Sequence, residues 1–312
     1  ISGNIDIDGT TNLDVVDIDG AVDMASTLTV AGVVTVSDGS ASAPSITNVG
    51  DTNSGVYFPA DDNVGLVIGG SRKLLANSSG VTINNGDLTL PDGTDLITGS
   101  AGTSNFRAGV NAGNSITSGG NRNTLVGDEA GTAITTGDDN TTFGYAAGDA
   151  ITTAVENTAL GSHALSAVTT GNSNTAIGMN AGLLITTGTN NVAVGPYALT
   201  TMTTSDYNTA VGRSAGRVIT TGSQNTLIGG LAGDALTDAD FNAAVGVGAL
   251  GADTLGSRST AVGQQALGLQ NFTSATDTYN TAVGFFAGLN VTTGIRNTLV
   301  GGLAGDALTD AD

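Results

Sequence analysis

Residues 105–312 consist of twelve copies of one 17-residue phrase, and no other feature restricts the fold as tightly. Each copy reads N-T-x-h-G-x-x-A-G/L-x-x-h-T-T-G-x-x, where h is apolar. The copies open at Asn105, Asn123, Asn140, Asn157, Asn174, Asn191, Asn208, Asn225, Asn242, Ser259, Asn280 and Asn297. Nine of the eleven intervals are 17 residues and the other two are 18 and 21, so the copies can stack with few interruptions. Position five is Gly in every copy, from Gly109 to Gly301, and position eight is Ala, from Ala112 to Ala304. Seventeen residues cannot hold two packed helices, and Gly, Thr and Asn are poor helix formers. A period this short and strict implies an all-β stacked solenoid, in which each copy buries its apolar groups against the next.

One copy has room for two short strands and two turns, which is one coil of a parallel β-solenoid. In the copy opening at Asn174 the first strand is Thr175-Ala176-Ile177. Gly178 ends it, where a residue free to take positive φ suits a corner. Ala181, three positions on, implies a corner with space for no more than a methyl group. The second strand is expected at the apolar-Thr-Thr run, here Ile185-Thr186-Thr187, with Gly188 and the following Asn turning the chain into the next coil. Identical Asn side chains in register can hydrogen-bond up and down the stack as a ladder. At the ~4.7–4.9 Å spacing of neighbouring strands, twelve coils should extend roughly 55–60 Å.

Strand alternation adds a partner to this reading. Positions two and four share one face, and position three takes the other. Position four is apolar throughout, as in Val126, Phe143, Leu160 and Ile177, and is expected to face the coil interior. Position three would then meet water, yet it is Ala or Leu in ten of twelve copies, the exceptions being Arg107 and Thr142. The expected cover for that face is further copies of the same chain.

The formal charge of −20, from 28 acidic and 8 basic residues, argues against nucleic acid, whose phosphates need Lys and Arg, and against an anionic membrane surface. Without Cys there are neither disulfides nor thiolate metal sites, so stability must come from stacking and association. No apolar run reaches the 18 residues of a membrane-spanning helix. The chain begins at Ile1 without a signal peptide and stops inside a repeat, as a piece of a longer protein would.

Ahead of the array, residues 1–43 alternate without helical period (Ile5/Ile7, Leu13/Val15, Val22/Met24, Leu28/Val30, Val34/Val36), as short half-buried strands do. Their Asp residues 6, 8, 14, 17 and 19 raise the question of calcium. A solvated strand face is the preferred reading, and no cofactor is expected. Residues 44–83 break the rhythm and form a small β module holding Tyr57, Phe58 and Lys73, the only Lys. Residues 84–104 form a linker with turn signals at Asn84-Asn85-Gly86 and Pro91-Asp92-Gly93. Within the array, Asn225–Asp240 recurs as Asn297–Asp312 with one change, Ile228 to Val300. The Ser259 copy carries four extra residues, expected to bulge outward as a loop around Phe272.

Repeats such as Asn174-Thr-Ala-Ile-Gly and Asn208-Thr-Ala-Val-Gly, followed by Ala-Gly, resemble the head repeats of trimeric autotransporter adhesins. The longer form, N-T-A-V-G-x-x-A-G/L-x-x-x-T-T-G, resembles fibre proteins of tailed bacteriophages, those of marine cyanobacteria in particular. The runs Asp51-Thr-Asn-Ser-Gly-Val-Tyr57 and Gly69-Gly-Ser-Arg-Lys-Leu-Leu75 resemble a module of phage tail fibres, and Asp92-Gly-Thr-Asp-Leu-Ile97 resembles the lead-in to such arrays. The resemblance implies a left-handed homotrimeric β-roll. It implies the shaft of a virion tail or head fibre, extracellular, joined to other fibre or baseplate proteins, with a downstream tip contacting a host-surface glycan or protein. A bacterial trimeric surface adhesin or extracellular filament is the alternative.

Other activities fit less well. The carboxylate pairs Asp128-Glu129 and Asp138-Asp139, with Glu156 nearby, fall at turns, and the only His, His163, sits at a variable turn position. They suit solvated turns better than the paired acids of a glycan hydrolase, and no catalytic or metal-binding residue is assigned. Ice binding would need ranks of T-x-T, whereas adjacent Thr residues point to opposite faces. The residues assigned a structural role are the repeat positions Asn174, Gly178, Ala181, Ile185, Thr186 and Gly188. Phe272, Phe285 and Phe286 are the aromatic groups expected to be exposed for contact.

Overall fold

The structure, a computed structural model, describes residues 31, 33–48, 50–84 and 102–310. The chain divides into two compact units, Ile1–Thr94 and Asp95–Asp312. The described residues are all-β, with no helix. The Asp-rich alternation of residues 5–30 and the turn signals at Gly86 and Pro91-Asp92-Gly93 lie outside the described residues. Val34 and Val36 are described; both are exposed and lie outside any strand.

In the first unit β1 (Ile46–Asn48), β2 (Asp51–Tyr57), β3 (Val64–Ile68), β4 (Ser71–Asn77) and β5 (Gly80–Ile83) form an antiparallel meander in sequence order. Gly69 and Gly70, both at positive φ, close the β3–β4 hairpin in two residues, a turn whose twist matches that of the strands. Tyr57 is buried against Gly65, where a Cβ would lie 2.3 Å from the Tyr57 ring. The expected small β module is therefore present.

The second unit is a parallel β-solenoid of about eleven turns. Its strands are β6 (Phe106–Ala108), β7 (Thr124–Val126), β8 (Thr141–Phe143), β9 (Thr158–Leu160), β10 (Thr175–Ile177), β11 (Val192–Val194), β12 (Thr209–Val211), β13 (Thr226–Ile228), β14 (Ala243–Val245), β16 (Thr260–Val262), β18 (Thr281–Val283) and β19 (Thr298–Val300). All twelve make one parallel sheet in sequence order, each residue opposite its counterpart, as Thr175 faces Thr158 and Val192. The inserted coil adds a second short ladder, β15 (Gly256–Ser257) beside β17 (Thr276–Asp277).

The Asn ladder forms as the repeat predicts. Asn191 donates from its backbone N and its Nδ2 to Asn174 Oδ1, each at 3.1 Å, while Asn174 Nδ2 donates to the Gly188 carbonyl at 2.8 Å. Each internal Asn thus joins two coils and closes its own, and Asn123 through Asn225 are buried. Gly178 lies at φ +130°, and a Cβ there would meet the Gly195 carbonyl carbon at 2.7 Å, so position five needs Gly for both conformation and space.

Two expectations are corrected. Position three, not position four, faces the interior: Ala159, Ala176, Ala210 and Leu227 are fully buried, whereas Phe143 is 53 % exposed, Leu160 43 % and Ile177 37 %. The coil is thin, and opposite position three stand Ala at position eight and an apolar residue such as Ile185 at position twelve, all in one continuous core. Beyond the first coil, where Arg107 is half-buried, only a small side chain at position three, or one Leu with Gly at position nine, fits that width. The apolar-Thr-Thr run is also not a strand. It bends around a corner, and on most coils the first Thr donates both its backbone N and its Oγ1 to the carbonyl one coil on, as Thr186 does to Thr203 at 2.8 and 3.1 Å.

The corners use left-handed backbone in three columns. The residue that precedes each copy (Arg122, Asp139, Glu156 and onward), position seven (Asn111, Glu129, Ala146 and onward) and position nine, Gly or Leu, all have positive φ. Left-handed Leu costs roughly 1–2 kcal/mol, yet Leu165, Leu199, Leu250 and Leu267 adopt it and are fully buried. Burying a Leu side chain contributes about 1.5–3 kcal/mol, enough to offset the strain.

Ala181 and Ala215 are fully buried at the cramped corner, whereas Met179 is 44 % exposed and Arg213 is exposed. Replacing either Ala by Leu is expected to cost about 1–3 kcal/mol through overpacking, and replacing Met179 or Arg213 by Ala very little. Thermal melts that fail to separate the two pairs would contradict this packing.

Candidate functional site

The surface feature with the greatest reach is the outward face of the long sheet. Position four makes an apolar stripe from Ala108 to Val300, every member exposed or half-buried and none polar. Thr residues at position two flank it on most coils. Strand propensity alone explains β-branched residues here, but not their unbroken apolar character on a chain of charge −20.

The sixth and seventh positions present a changing set of groups. Phe285 and Phe286 are in ring contact, with centroids 4.0 Å apart; Phe285 is 51 % exposed and Phe286 half-buried. Phe272 differs from expectation: it is only 7 % exposed. Its backbone is tied down on both sides, N donating to Asp253 Oδ1 at 3.2 Å and carbonyl accepting from Thr254 Oγ1 at 2.8 Å, so its ring turns inward. The extra residues bulge at Thr273-Ser274-Ala275, which are exposed.

The carboxylates of the turns act within the coil-to-coil framework. Asp138 Oδ1 accepts the Asn121 amide at 2.7 Å, Glu129 accepts Asn111 Nδ2 at 2.8 Å, and Glu156 accepts Ser173 Oγ at 3.0 Å. Arg122 binds both oxygens of Asp139, and this hydrogen-bonded guanidinium holds that carboxyl below its ordinary value. His163 meets Ser162 Oγ through Nδ1 at 2.9 Å and packs edge-on against Tyr145. Among the described residues no group of three or more acidic, His or Cys side chains is placed to hold a metal. A cleft beside the insertion is lined by Asp238, Asp240, Phe241, Arg258 and Asp277, with the Arg258 guanidinium 4.8 Å above the Phe241 ring and 3.2 Å from Asp277.

The repeat phrase gave no notice of a buried polar cluster at the junction of the ninth and tenth coils. Position twelve is apolar in ten coils, among them Ile116, Ile134, Ile185 and Val291, but it is Asp253 and Gln270 in these two adjacent ones. Both are fully buried. In the same place the ladder Asn is replaced by Ser259, also buried. The Gln270 carboxamide fills the gap: Oε1 accepts Asn280 Nδ2 at 2.8 Å, and Nε2 donates to Ser259 Oγ at 2.9 Å and to Asp253 Oδ2 at 2.5 Å. Ser259 Oγ in turn meets Thr278 Oγ1 at 2.5 Å. The signal that finds this cluster in sequence is the coincidence of three departures from the phrase, Asp253, Ser259 and Gln270, around its one long interval.

No family model, curated protein or solved structure matches this chain.

Proposed function

We propose that the chain is the shaft of a homotrimeric virion fibre that holds a host-attachment tip away from the particle, and that it performs no catalysis. The unbroken outward stripe at position four carries this reading. Its groups repeat once per coil, so only a surface with the same axial repeat can cover it along its whole length, and a further copy of this chain is such a surface. Three copies with their stripes turned inward would bury long apolar strips, in keeping with the large apolar interfaces of obligate oligomers. The repeats' resemblance to fibre and adhesin-head sequences supports the number three and the fibre. The variable sixth and seventh positions, which offer no rank of identical exposed groups, support a shaft over a receptor-binding surface.

Sedimentation analysis of the purified chain at micromolar concentration is expected to give three times the chain mass of 30.4 kDa. Ile177→Asp combined with Val211→Asp, on the stripe, should dissociate the trimer. Thr187→Asp, at an exposed corner away from the stripe, should not. A folded monomer of the unaltered chain would overturn the assembly. The shaft assignment is tested separately by cell binding: saturable binding of the purified trimer that blocks adsorption of whole particles would place recognition on this segment instead.

A further inference from the structure

The Asp253 cluster is out of place in a core otherwise closed by apolar columns and carboxamides. Its carboxylate is fully buried. Its hydrogen-bond donors are neutral: Gly256 N at 3.0 Å, Phe272 N at 3.2 Å and Gln270 Nε2 at 2.5 Å. The charged side chains on the coils around it are Asp234, Asp238 and Asp240 on the eighth, Arg258 on the ninth, Asp277 on the tenth and Arg296 on the eleventh. None is buried, and Arg258 is engaged by Asp277 and the Phe241 ring. An ionised carboxylate buried without a cation is expensive, and neutral donors offset only part of that cost.

We propose that Asp253 makes the junction of the ninth and tenth coils a proton-controlled joint in the solenoid, closed when the carboxyl is protonated and the first place to open when it is ionised. Three features put a joint here. The ladder loses its carboxamide at Ser259: the Ser259 N–H still donates to Asn242 Oδ1 at 2.9 Å, but the onward link to Asn280 runs through the Gln270 side chain, which also holds Asp253. The apolar column is interrupted on two successive coils. The four extra residues of the tenth coil provide slack that a 17-residue coil lacks. A repeat array of this kind can open at one junction without unfolding elsewhere, because each coil touches only its neighbours.

The direction with pH follows from burial. Desolvation raises the carboxyl above its ordinary value, against the opposing hydrogen bonds from Gln270, Phe272, Gly256 and Leu255. A raised value in the closed state means that the closed state binds the proton more tightly than the open one. The added stability is complete below the ordinary Asp value and is lost as pH rises through the raised one. Each unit of elevation weakens closure tenfold once the group is ionised.

The test is hydrogen exchange of the whole chain read by mass spectrometry at about pH 5 and about pH 8, within the range where such linkage acts, with protection corrected for the intrinsic rate. Peptides covering residues 253–278 are expected to lose protection at the higher pH, while those covering 174–191 keep theirs. Asp253→Asn should abolish the difference. The pair Asp253→Leu and Gln270→Leu, which restores the apolar column, should abolish it and protect the junction at both values. Equal pH response in the two regions, protection that grows with pH at the junction, or a difference that survives in Asp253→Asn would each overturn the joint. If neither variant folds, the unaltered chain alone decides the matter.

Discussion

Asn174→Ala is expected to destabilise the solenoid by about 2–6 kcal/mol, because it leaves two buried groups without partners at roughly 1–3 kcal/mol each. The Asn191 backbone N–H loses its acceptor, and the Gly188 carbonyl loses its side-chain donor. The Asn191 carboxamide also loses its bond to Asn174 Oδ1 at 3.1 Å, but keeps those to the Ser205 and Thr189 carbonyls at 2.8 and 3.0 Å. No nearby polar atom can substitute, since the site is enclosed by core residues. Thr187→Ala, in the same coil but with its side chain on an exposed corner, is the matched control and should change little. Loss should be visible as a lowered melting temperature and as fast amide exchange confined to the coils on either side of residue 174. A variant indistinguishable from the control would mean that the ladder reflects the stacking without supporting it.

Leu227→Ala is expected to cost about 2–5 kcal/mol, the range for emptying a buried Leu site. The Leu227 side chain fills space in two coils at once. A Cβ at Gly216 would lie 2.8 Å from its Cδ1, and one at Gly233 would lie 2.8 Å from its Cδ2. The array alternates two solutions to one volume. Coils with Leu at position three have Gly at position nine (Leu125 with Gly131, Leu227 with Gly233, Leu299 with Gly305), and coils with Leu at position nine have Ala at position three (Ala159 with Leu165, Ala193 with Leu199). Coils with Ala and Gly are filled from next door, as Gly182 is approached by Leu165 Cδ2 at 2.8 Å. The double change Leu227→Ala with Gly233→Leu recreates the second solution. It should recover part of the lost stability, less the roughly 1–2 kcal/mol of left-handed Leu. A double variant as unstable as the sum of two independent defects would show that the two positions do not share a cavity.

Much of this was legible in the chain itself. The period, the Gly corner, the Ala corner and the Asn ladder each follow from a residue type whose chemistry permits few settings, and Asn174, Gly178 and Ala181 take the places the phrase implies. Other features were hidden because no single residue type betrays them. Nothing in Phe272 says that its ring turns inward; the Asp253 and Thr254 contacts of its backbone do that. Left-handed corners occupied by Arg122, Glu129, Tyr207 and Leu165 carry no glycine to mark them.

The amino-acid sequence by itself determined that the fold is a repeated all-β coil, and which side chains share a face. It could not say which face is inside, because positions three and four are both apolar and alternation is blind to direction. The tertiary structure decided that by volume. The space between one strand and the corner that faces it admits Ala, or one Leu per site, so the smaller residues went in and Val, Ile, Leu and Phe were left outward as the stripe. The polar junction was decided in the same way: only stacking coil on coil brings Asp253, Ser259 and Gln270, 6 to 17 residues apart in the chain, into one buried hydrogen-bonded cluster.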